Sequence, residues 1–226
     1  MTGQGTAQLP LDLGHDPALG PSDFLIADSN RAAVAWLEQW PRWPAPALVL
    51  VGPRGSGKTH LAGLWQAKSG ALRIAGADLV LDRVADLLGA ARSVVIDDAP
   101  QAGEQALLHL YNMVAERRGH ALLVATVAPA HWSIALADLR SRLLAAPLAE
   151  MEPPDDALLA AVLVKLFADR QLTVGEGVVA FLVARLERSF EAVRRVVAAI
   201  DRTALAAGRP ITVPLVREVL LATETV

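Results

Sequence analysis

The chain of 226 residues contains no cysteine, only three lysines and no long apolar run. The absence of cysteine excludes disulfide stabilisation. The longest apolar runs, at residues 121–130 and 157–164, fall well short of the roughly 20 residues that a transmembrane helix needs. The amino terminus also lacks the basic and continuous apolar regions of a secretion signal. We therefore expect a cytoplasmic protein that does not span a membrane.

Basic residues are too few for a protein that wraps nucleic acid. The 21 Lys and Arg residues face 24 Asp and Glu residues, which gives a formal net charge of −3. Nucleic-acid wrapping depends on a basic surface that neutralises phosphates, so only a local basic patch stays open. The five histidines show no ligand spacing such as H-E-x-x-H, and a metal site built on histidine is not expected.

The first two thirds of the chain alternate between apolar strands and helices. We predict a first helix that Asp28 or Ser29 caps and that runs to about Gln39. The strands are predicted at residues 47–51, 71–74, 93–96, 121–127 and 147–149, with helical stretches between most of them. Solid apolar strands that alternate with helices indicate an α/β fold whose parallel sheet is covered on both faces.

The strands stop after Pro153 and Pro154, and four helical patterns follow. They are predicted from Asp155 or Asp156 to Asp169, and over residues 176–188, 190–207 and 213–223. The predicted domains are therefore a mobile tail over residues 1–20, an α/β domain over residues 21–152 and a small all-helical lid over residues 153–226.

A complete phosphate-binding loop follows the first strand. Its residues, and the histidine behind it, are Gly52, Pro53, Arg54, Gly55, Ser56, Gly57, Lys58, Thr59 and His60. The glycines let backbone N–H groups turn towards phosphate oxygens, and the next helix adds the positive end of its dipole. Lys58 is expected on the β- and γ-phosphates and Thr59 on Mg²⁺. The alternative, a glycine-rich turn that matches by accident, does not explain the strand before it and the helix after it.

Two carboxylates end the third predicted strand. Asp97 is expected to reach the Mg²⁺ shell, and Asp98 to orient an attacking water molecule. A strand that merely runs into an acidic turn is the alternative. The Asp98 side chain is one methylene shorter than that of a glutamate, and the chain's own turnover is expected to be weak.

Three further residues are candidates for phosphate chemistry. Thr126, near the end of the fourth strand, is predicted to bond the γ-phosphate or a water molecule, unless it is a structural threonine. Arg142 precedes the last strand and is a candidate arginine finger for a neighbouring subunit, with an ordinary solvated arginine as the alternative. Arg194 is predicted to reach from the lid to the phosphates, or else to form a salt bridge at the rim.

These elements, in this order and with the helical lid, resemble the AAA+ ATPases. Four segments are similar to the AAA+ module of the bacterial replication initiator DnaA, and they lie at residues 24–31, 57–60, 96–98 and 139–143. The resemblance covers about residues 21–223. It implies ATP or ADP with Mg²⁺ as cofactors, and places Ile26 and His60 beside the nucleotide. DnaA continues into a DNA-binding domain, and this chain has no room for one after the lid, so DNA contact is expected to be indirect.

The tail is similar to the short peptides that bind the replicative sliding clamp. Its motif consists of Gln8, Leu9, Leu11 and Leu13. Together with the DnaA-like module, it resembles the Hda family of regulatory inactivators of DnaA. That resemblance implies a negative regulator of replication initiation that docks on the clamp (the polymerase β subunit) and stimulates ATP hydrolysis by DnaA with Arg142 in trans. Its own ATPase is expected to be weak.

Other functions and states stay open. A helicase-loader ATPase of the same superfamily would bind single-stranded DNA and a helicase. A nucleotide-stabilised scaffold would recruit DNA or a membrane without catalysis. A homo-oligomer is also open, as is the resting nucleotide.

Overall fold

A computed structural model describes residues 24–223. Five parallel strands form its single sheet, in the order β2-β3-β4-β1-β5. The strands are β1 (Ala47–Val51), β2 (Leu72–Ala75), β3 (Ser93–Asp97), β4 (His120–Ala125) and β5 (Leu148–Glu150). The three central strands β3, β4 and β1 therefore lie side by side.

Nine α-helices complete this part of the chain. Five belong to the base, which is the sheet with α1 (Asp28–Glu38), α2 (Lys58–Ser69), α3 (Val84–Leu88), α4 (Glu104–Glu116) and α5 (Ala137–Ala145). Four form the lid, namely α6 (Asp156–Asp169), α7 (Glu176–Val183), α8 (Phe190–Ala207) and α9 (Val213–Thr223). No helix within residues 24–223 has the length and apolar character that a membrane span requires.

The side chains of the central strands alternate between two apolar cores. Ala47, Val49 and Val51 of β1 join the core that α3, α4 and α5 cover. Leu48 and Leu50 join the core under α1 and α2. This two-sided burial is the reason that β1 reads as an unbroken apolar run, as parallel strands do. The lid has a third core of its own around Leu163, Phe167 and Val197, which are fully buried.

The fold class agrees with the sequence prediction, whereas several boundaries differ from it. Strand β4 ends at Ala125, so Thr126 lies in the loop after the strand. Helix α7 ends at Val183 rather than at residue 188, because the chain must leave the helix for Ser189 to cap α8 with its side chain. Strand β2 begins and ends one residue later than predicted.

The predicted starts of the first and sixth helices agree with the structure to different degrees. The N-cap of α1 is Ala27, not Asp28 or Ser29, and the Ala27 N–H donates to the Asn30 side-chain oxygen at 3.0 Å. Asp155 caps α6 as predicted, with its carboxylate accepting from the Leu158 N–H at 2.7 Å. The predicted domain boundary after residue 152 falls in the loop between strand β5 and helix α6.

An aromatic cluster closes the base at the amino ends of the strands, away from the phosphate-binding loop. Trp43 stacks on Trp65 with ring centroids 5.2 Å apart, and the His120 ring meets Trp43 edge-on at 5.4 Å. The Trp40 indole N–H donates to Nδ1 of His120 at 3.2 Å. Indole is only a donor, so this bond requires an unprotonated Nδ1. Burial lowers the pKa of His120, and a hydrogen bond with the Pro41 backbone opposes that shift in part.

We predict that acid weakens the fold through His120. Its folded pKa lies below its unfolded value of about 6.5. The stabilisation is therefore complete above that unfolded value and is lost as the pH falls below it. Loss of the indole hydrogen bond should cost about 1 kcal/mol.

Urea unfolding at pH 7.5 and pH 5 measures this effect. The variant His120→Gln should lose less free energy of unfolding on acidification than the native chain. The matched control His109→Gln changes an exposed histidine on α4 and should behave like the native chain. Identical pH dependence of the native chain and His120→Gln would contradict the prediction.

Candidate functional site

The phosphate-binding loop, Asp97 and Thr126 lie at the carboxyl ends of the three central strands. The phosphate-binding loop (residues 52–59) follows β1, and Asp97 is the last residue of β3. Thr126 directly follows β4, the strand between those two. In open parallel sheets, ligands bind in the crevice beyond these carboxyl ends.

The amino terminus of α2 is open to an anion. Its N-cap, Gly57, has φ 96°, and no side chain caps the helix. The first-turn N–H groups of a 12-residue helix therefore point out of the loop with the positive end of the helix dipole. The Lys58 ammonium folds over the loop and donates to the carbonyl oxygens of Gly52 and Pro53, both at 2.7 Å. Burial lowers the pKa of Lys58, the nearby Asp98 carboxylate opposes this shift, and Arg54 adds to it.

A cavity of about 670 Å³ brings most of the predicted phosphate-side residues together. Those that line it are Arg54, Lys58, Thr59, Asp97, Asp98 and Thr126. Cationic donors and helix N–H groups suit phosphate oxygens, and a hydroxyl beside carboxylates suits Mg²⁺. No group of three His, Asp or Glu side chains within residues 24–223 could hold a metal by itself. A cation here would need further ligands such as phosphate oxygens.

Asp97 has a partner that the sequence did not reveal. The Arg73 Nε atom donates to Oδ2 of Asp97 at 2.6 Å, and both side chains are about 30% exposed (29% and 30%). Asp98 is exposed and has a left-handed backbone conformation, with φ 49°. It begins the turn that carries the chain from β3 towards α4. The sequence contained one sign of this contact, because Arg73 is a charged residue inside an otherwise apolar strand.

The lid contacts the phosphate-binding loop directly. The Phe190 N–H donates to the Gly55 carbonyl oxygen at 2.8 Å. Gly55 has φ +73°, and a Cβ added there would lie 2.4 Å from the Ser189 Cβ. Only glycine therefore fits under the start of α8.

Arg194, one turn further along α8, lies over the amino-terminal half of α2. A second cavity of about 640 Å³ has Lys58, Thr59, Arg194 and the exposed Glu191 in its lining. The structure thus brings Arg194 beside the loop, as its predicted reach from the lid to the phosphates requires. It also places a carboxylate there that the sequence analysis had overlooked.

A small apolar cavity of about 50 Å³ lies between base and lid. Phe24 and Leu25 line it, together with His60, Leu158 and Phe190. Ile26 does not line this cavity. The residue is 57% exposed and lines a neighbouring groove between α1 and α2. Phe24 lines that groove as well, so the segment 24–26 borders both cavities, and the placement of Ile26 beside the nucleotide stays a prediction.

Arg142 lies outside these cavities. Its Nε atom donates to Oδ1 of Asp138 at 2.9 Å, one turn earlier in α5, and its guanidinium lies 5.4 Å from the centre of the Tyr111 ring. The side chain is 37% exposed. Within its own chain, Arg142 therefore does not reach the phosphate side.

Glu104 holds the segment that leads into α5. Its carboxylate accepts hydrogen bonds from the Ala135 N–H at 3.0 Å and the Leu136 N–H at 2.7 Å. These bonds lower the pKa of Glu104, those from Ala135 and then Leu136 being the largest causes. Sequence reasoning missed this residue, since the contact spans 31 residues and has no local pattern. The clamp-motif residues Gln8, Leu9, Leu11 and Leu13 lie outside the described residues.

Comparisons with known proteins agree with this geometry. The family model described as "Hda, lid domain" matches residues 156–220. Domain III of the Thermotoga maritima replication initiation protein DnaA superimposes with a TM-score of 0.74, at 18% identity over 89% of this chain and 95% of that one. The lid region of the chain therefore resembles the lid of the Hda family, and the chain has the fold of DnaA domain III.

Two further relatives extend the comparison. A structure of DnaA bound to AMPPCP and single-stranded DNA matches with a TM-score of 0.66, at 18% identity over 81% of this chain and 66% of that one. A Haemophilus influenzae protein named only as uncharacterized is 25% identical over 214 residues, which cover 89% of this chain and 90% of that protein. The α/β core with its helical lid is therefore an AAA+ fold.

We predict that Gly55→Ala destabilises the fold. A Cβ at this position would clash with Ser189 and strain the backbone at positive φ, at a cost of about 1–3 kcal/mol. Urea unfolding of the nucleotide-free protein measures the loss. The control Gly63→Ala adds a Cβ on α2 with nothing within 4 Å and should raise stability by up to about 1 kcal/mol. Equal stability of the two variants would refute the clash.

Proposed function

We propose that this chain is a nucleotide-dependent regulator of DnaA. The observation that carries the proposal is the lid, which matches the Hda lid family and rests on the phosphate-binding loop through Phe190 and Gly55. A regulator of this kind would read its bound nucleotide through the lid and would act on the nucleotide site of a DnaA molecule. The domain limits given by the sequence, 21–152 and 153–226, are part of this proposal.

The nucleotide would lie between base and lid. The apolar surfaces of Phe24 and Leu25 suit an adenine ring, and the open amino terminus of α2 with Lys58 suits the phosphates. Arg194 would contact the phosphates from the lid side. Mg²⁺, when bound, would offset phosphate charge, with Thr59 and Asp97 as its protein ligands.

Arg142 is proposed to act in trans on DnaA. Its bond to Asp138 is a surface ion pair within one helix, and exposed ion pairs of this kind contribute little to stability. The guanidinium can therefore exchange Asp138 for the phosphates of a partner at little cost. An arginine finger can accelerate hydrolysis by about 10³ to 10⁵. Turnover by the chain itself would be slow, with Asp98 in place of the longer Glu and Thr126 beside it.

Docking on the sliding clamp completes the proposal. The motif Gln8, Leu9, Leu11 and Leu13 would join this chain to clamps loaded on DNA, and DNA would be contacted only through them. The support for this step is the sequence motif. Its position ahead of Phe24 would leave the base and lid free to meet DnaA.

We predict that Lys58→Ala removes nucleotide binding. Charge-assisted hydrogen bonds to phosphate are worth about 1.5–3 kcal/mol each, so affinity should fall about a hundredfold. Isothermal titration with ADP and ATP measures this affinity. Lys68→Ala is the matched control, since Lys68 lies in the last turn of the same helix. Tight binding by Lys58→Ala would refute the assignment of the loop.

The regulatory role is tested by DnaA's own ATP hydrolysis in the presence of DNA-loaded clamp. Arg142→Ala should reduce the stimulation by at least about 10³, because the planar cation is lost from the transition state. Asp138→Asn breaks the same intrahelical pair while keeping Arg142, and should stimulate like the native chain. A loss in both variants would assign the effect to the structure of α5 and contradict the finger.

Binding to the clamp is tested separately, with variants of the clamp motif. Leu11→Ala with Leu13→Ala should lose binding to the clamp in a pull-down and retain nucleotide affinity. Binding to a replicative helicase instead of the clamp would favour the helicase-loader alternative. Equal effects of ATP and ADP, with no change in DnaA turnover, would favour a scaffold without catalysis.

A further inference from the structure

Arg73 and Asp97 form a charged pair at the edge of the candidate nucleotide site. Two guanidinium atoms, Nε at 2.6 Å and Nη2 at 2.5 Å, converge on the same Oδ2 atom of Asp97. Arg73 lies on β2, an edge strand, and does not line the cavity that Asp97 lines. The guanidinium therefore contacts the Asp97 carboxylate from outside this cavity.

The register of the sheet enforces this contact. Arg73 is paired with Val95, so Arg73 and Asp97 lie on the same face, two residues apart along the strands. The chain after β2 is also held against the end of β3, because a Cβ at Gly76 would lie only 2.3 Å from the Asp98 carbonyl oxygen. The backbone segments that carry Arg73 and Asp97 are therefore held together at this end of the sheet.

The pair changes the electrostatics of a metal ligand. A guanidinium stays charged at every accessible pH, so it offsets the carboxylate charge permanently. A divalent cation that approaches Asp97 therefore meets a carboxylate already neutralised in part, and it is repelled by Arg73 at short range. The attraction that would couple Mg²⁺ to this site is weakened.

We propose that Arg73 is a built-in counter-ion for Asp97 that makes nucleotide binding by this chain nearly independent of divalent cations. The inference rests on the proposed nucleotide site and deepens it. Arg73 is a positioning and charge-setting residue, since it does not touch the cavity. A nucleotide would be held chiefly by Lys58, by the helix N–H groups and by the lid.

The test compares the affinity for AMPPCP and ADP in excess MgCl₂ and in EDTA, by isothermal titration. The native chain should bind nearly equally in both. In Arg73→Gln, which keeps an amide donor and loses the charge, Mg²⁺ should strengthen binding about tenfold, the effect of one neighbouring charge. If the native chain already requires Mg²⁺, the proposal is overturned. A purely orienting Arg73 would make Arg73→Gln less responsive to Mg²⁺ than the native chain, which also overturns it.

Three variants serve as controls. Arg73→Lys keeps a cation and should resemble the native chain. Arg92→Gln removes one positive charge from an exposed site at the opposite end of β3 and should have no effect. Arg73→Gln combined with Asp97→Asn should lose the gained response to Mg²⁺.

A titration with inorganic pyrophosphate in place of a nucleotide separates this inference from the proposed function. In isothermal titration, Mn²⁺ should strengthen pyrophosphate binding about tenfold in Arg73→Gln and hardly at all in the native chain. An equal Mn²⁺ response of the two proteins would overturn the counter-ion role. A chain that binds no nucleotide in either buffer, but shows this Mn²⁺ difference, would refute the proposed function and leave the role of Arg73 standing. If Arg73→Gln does not fold, the native chain alone decides the proposal, which is overturned if Mg²⁺ strengthens nucleotide binding by the native chain.

Discussion

The backbone hydrogen bond from the Phe190 N–H to the Gly55 carbonyl oxygen joins the two halves of this AAA+ fold. It requires a residue without a Cβ at positive φ, so the conformation of the phosphate-binding loop and the position of the lid are set together. The same bond fixes the start of α8, and thereby carries Arg194 over Lys58 and Thr59. A ligand in this cavity contacts base and lid at once, and any shift of the lid changes the shape of the loop.

The fold could be predicted from the sequence wherever periodicity was local and strong. Strand β1 and helices α8 and α9 begin and end where apolar spacing placed them, because their buried faces need no distant information. The errors lie at ends that tertiary contacts decide. The early end of α7 follows from the need for Ser189 to cap α8, and the N-cap of α1 falls on Ala27 because Asn30 bonds back to its N–H.

The candidate site was likewise predicted where local sequence position is sufficient and missed where distant contacts decide. The loop, Asp97, Asp98 and Thr126 were predicted from their positions after strands, since parallel strands deliver their carboxyl ends to one crevice. Arg73 and Glu104 were missed, because their contacts depend on strand order and on a loop 31 residues away. Leu25 lines the small cavity under the lid, Ile26 lines the groove between α1 and α2, and Phe24 lines both, a distribution that sequence spacing does not fix. The roles of Arg142 and of the clamp motif stay predictions, because each would involve a second protein.

The tryptophans are distributed unevenly between the two faces of the sheet. Four of the five pack with α1 and α2, whereas Trp132 lies on the other face and lines the phosphate-side cavity. Its indole N–H donates to the Val127 carbonyl oxygen at 2.8 Å, in the loop that begins with Thr126. The protein thus carries one intrinsic fluorophore at the mouth of its own site. With the other indoles replaced, its emission would follow the filling of that cavity without any attached dye.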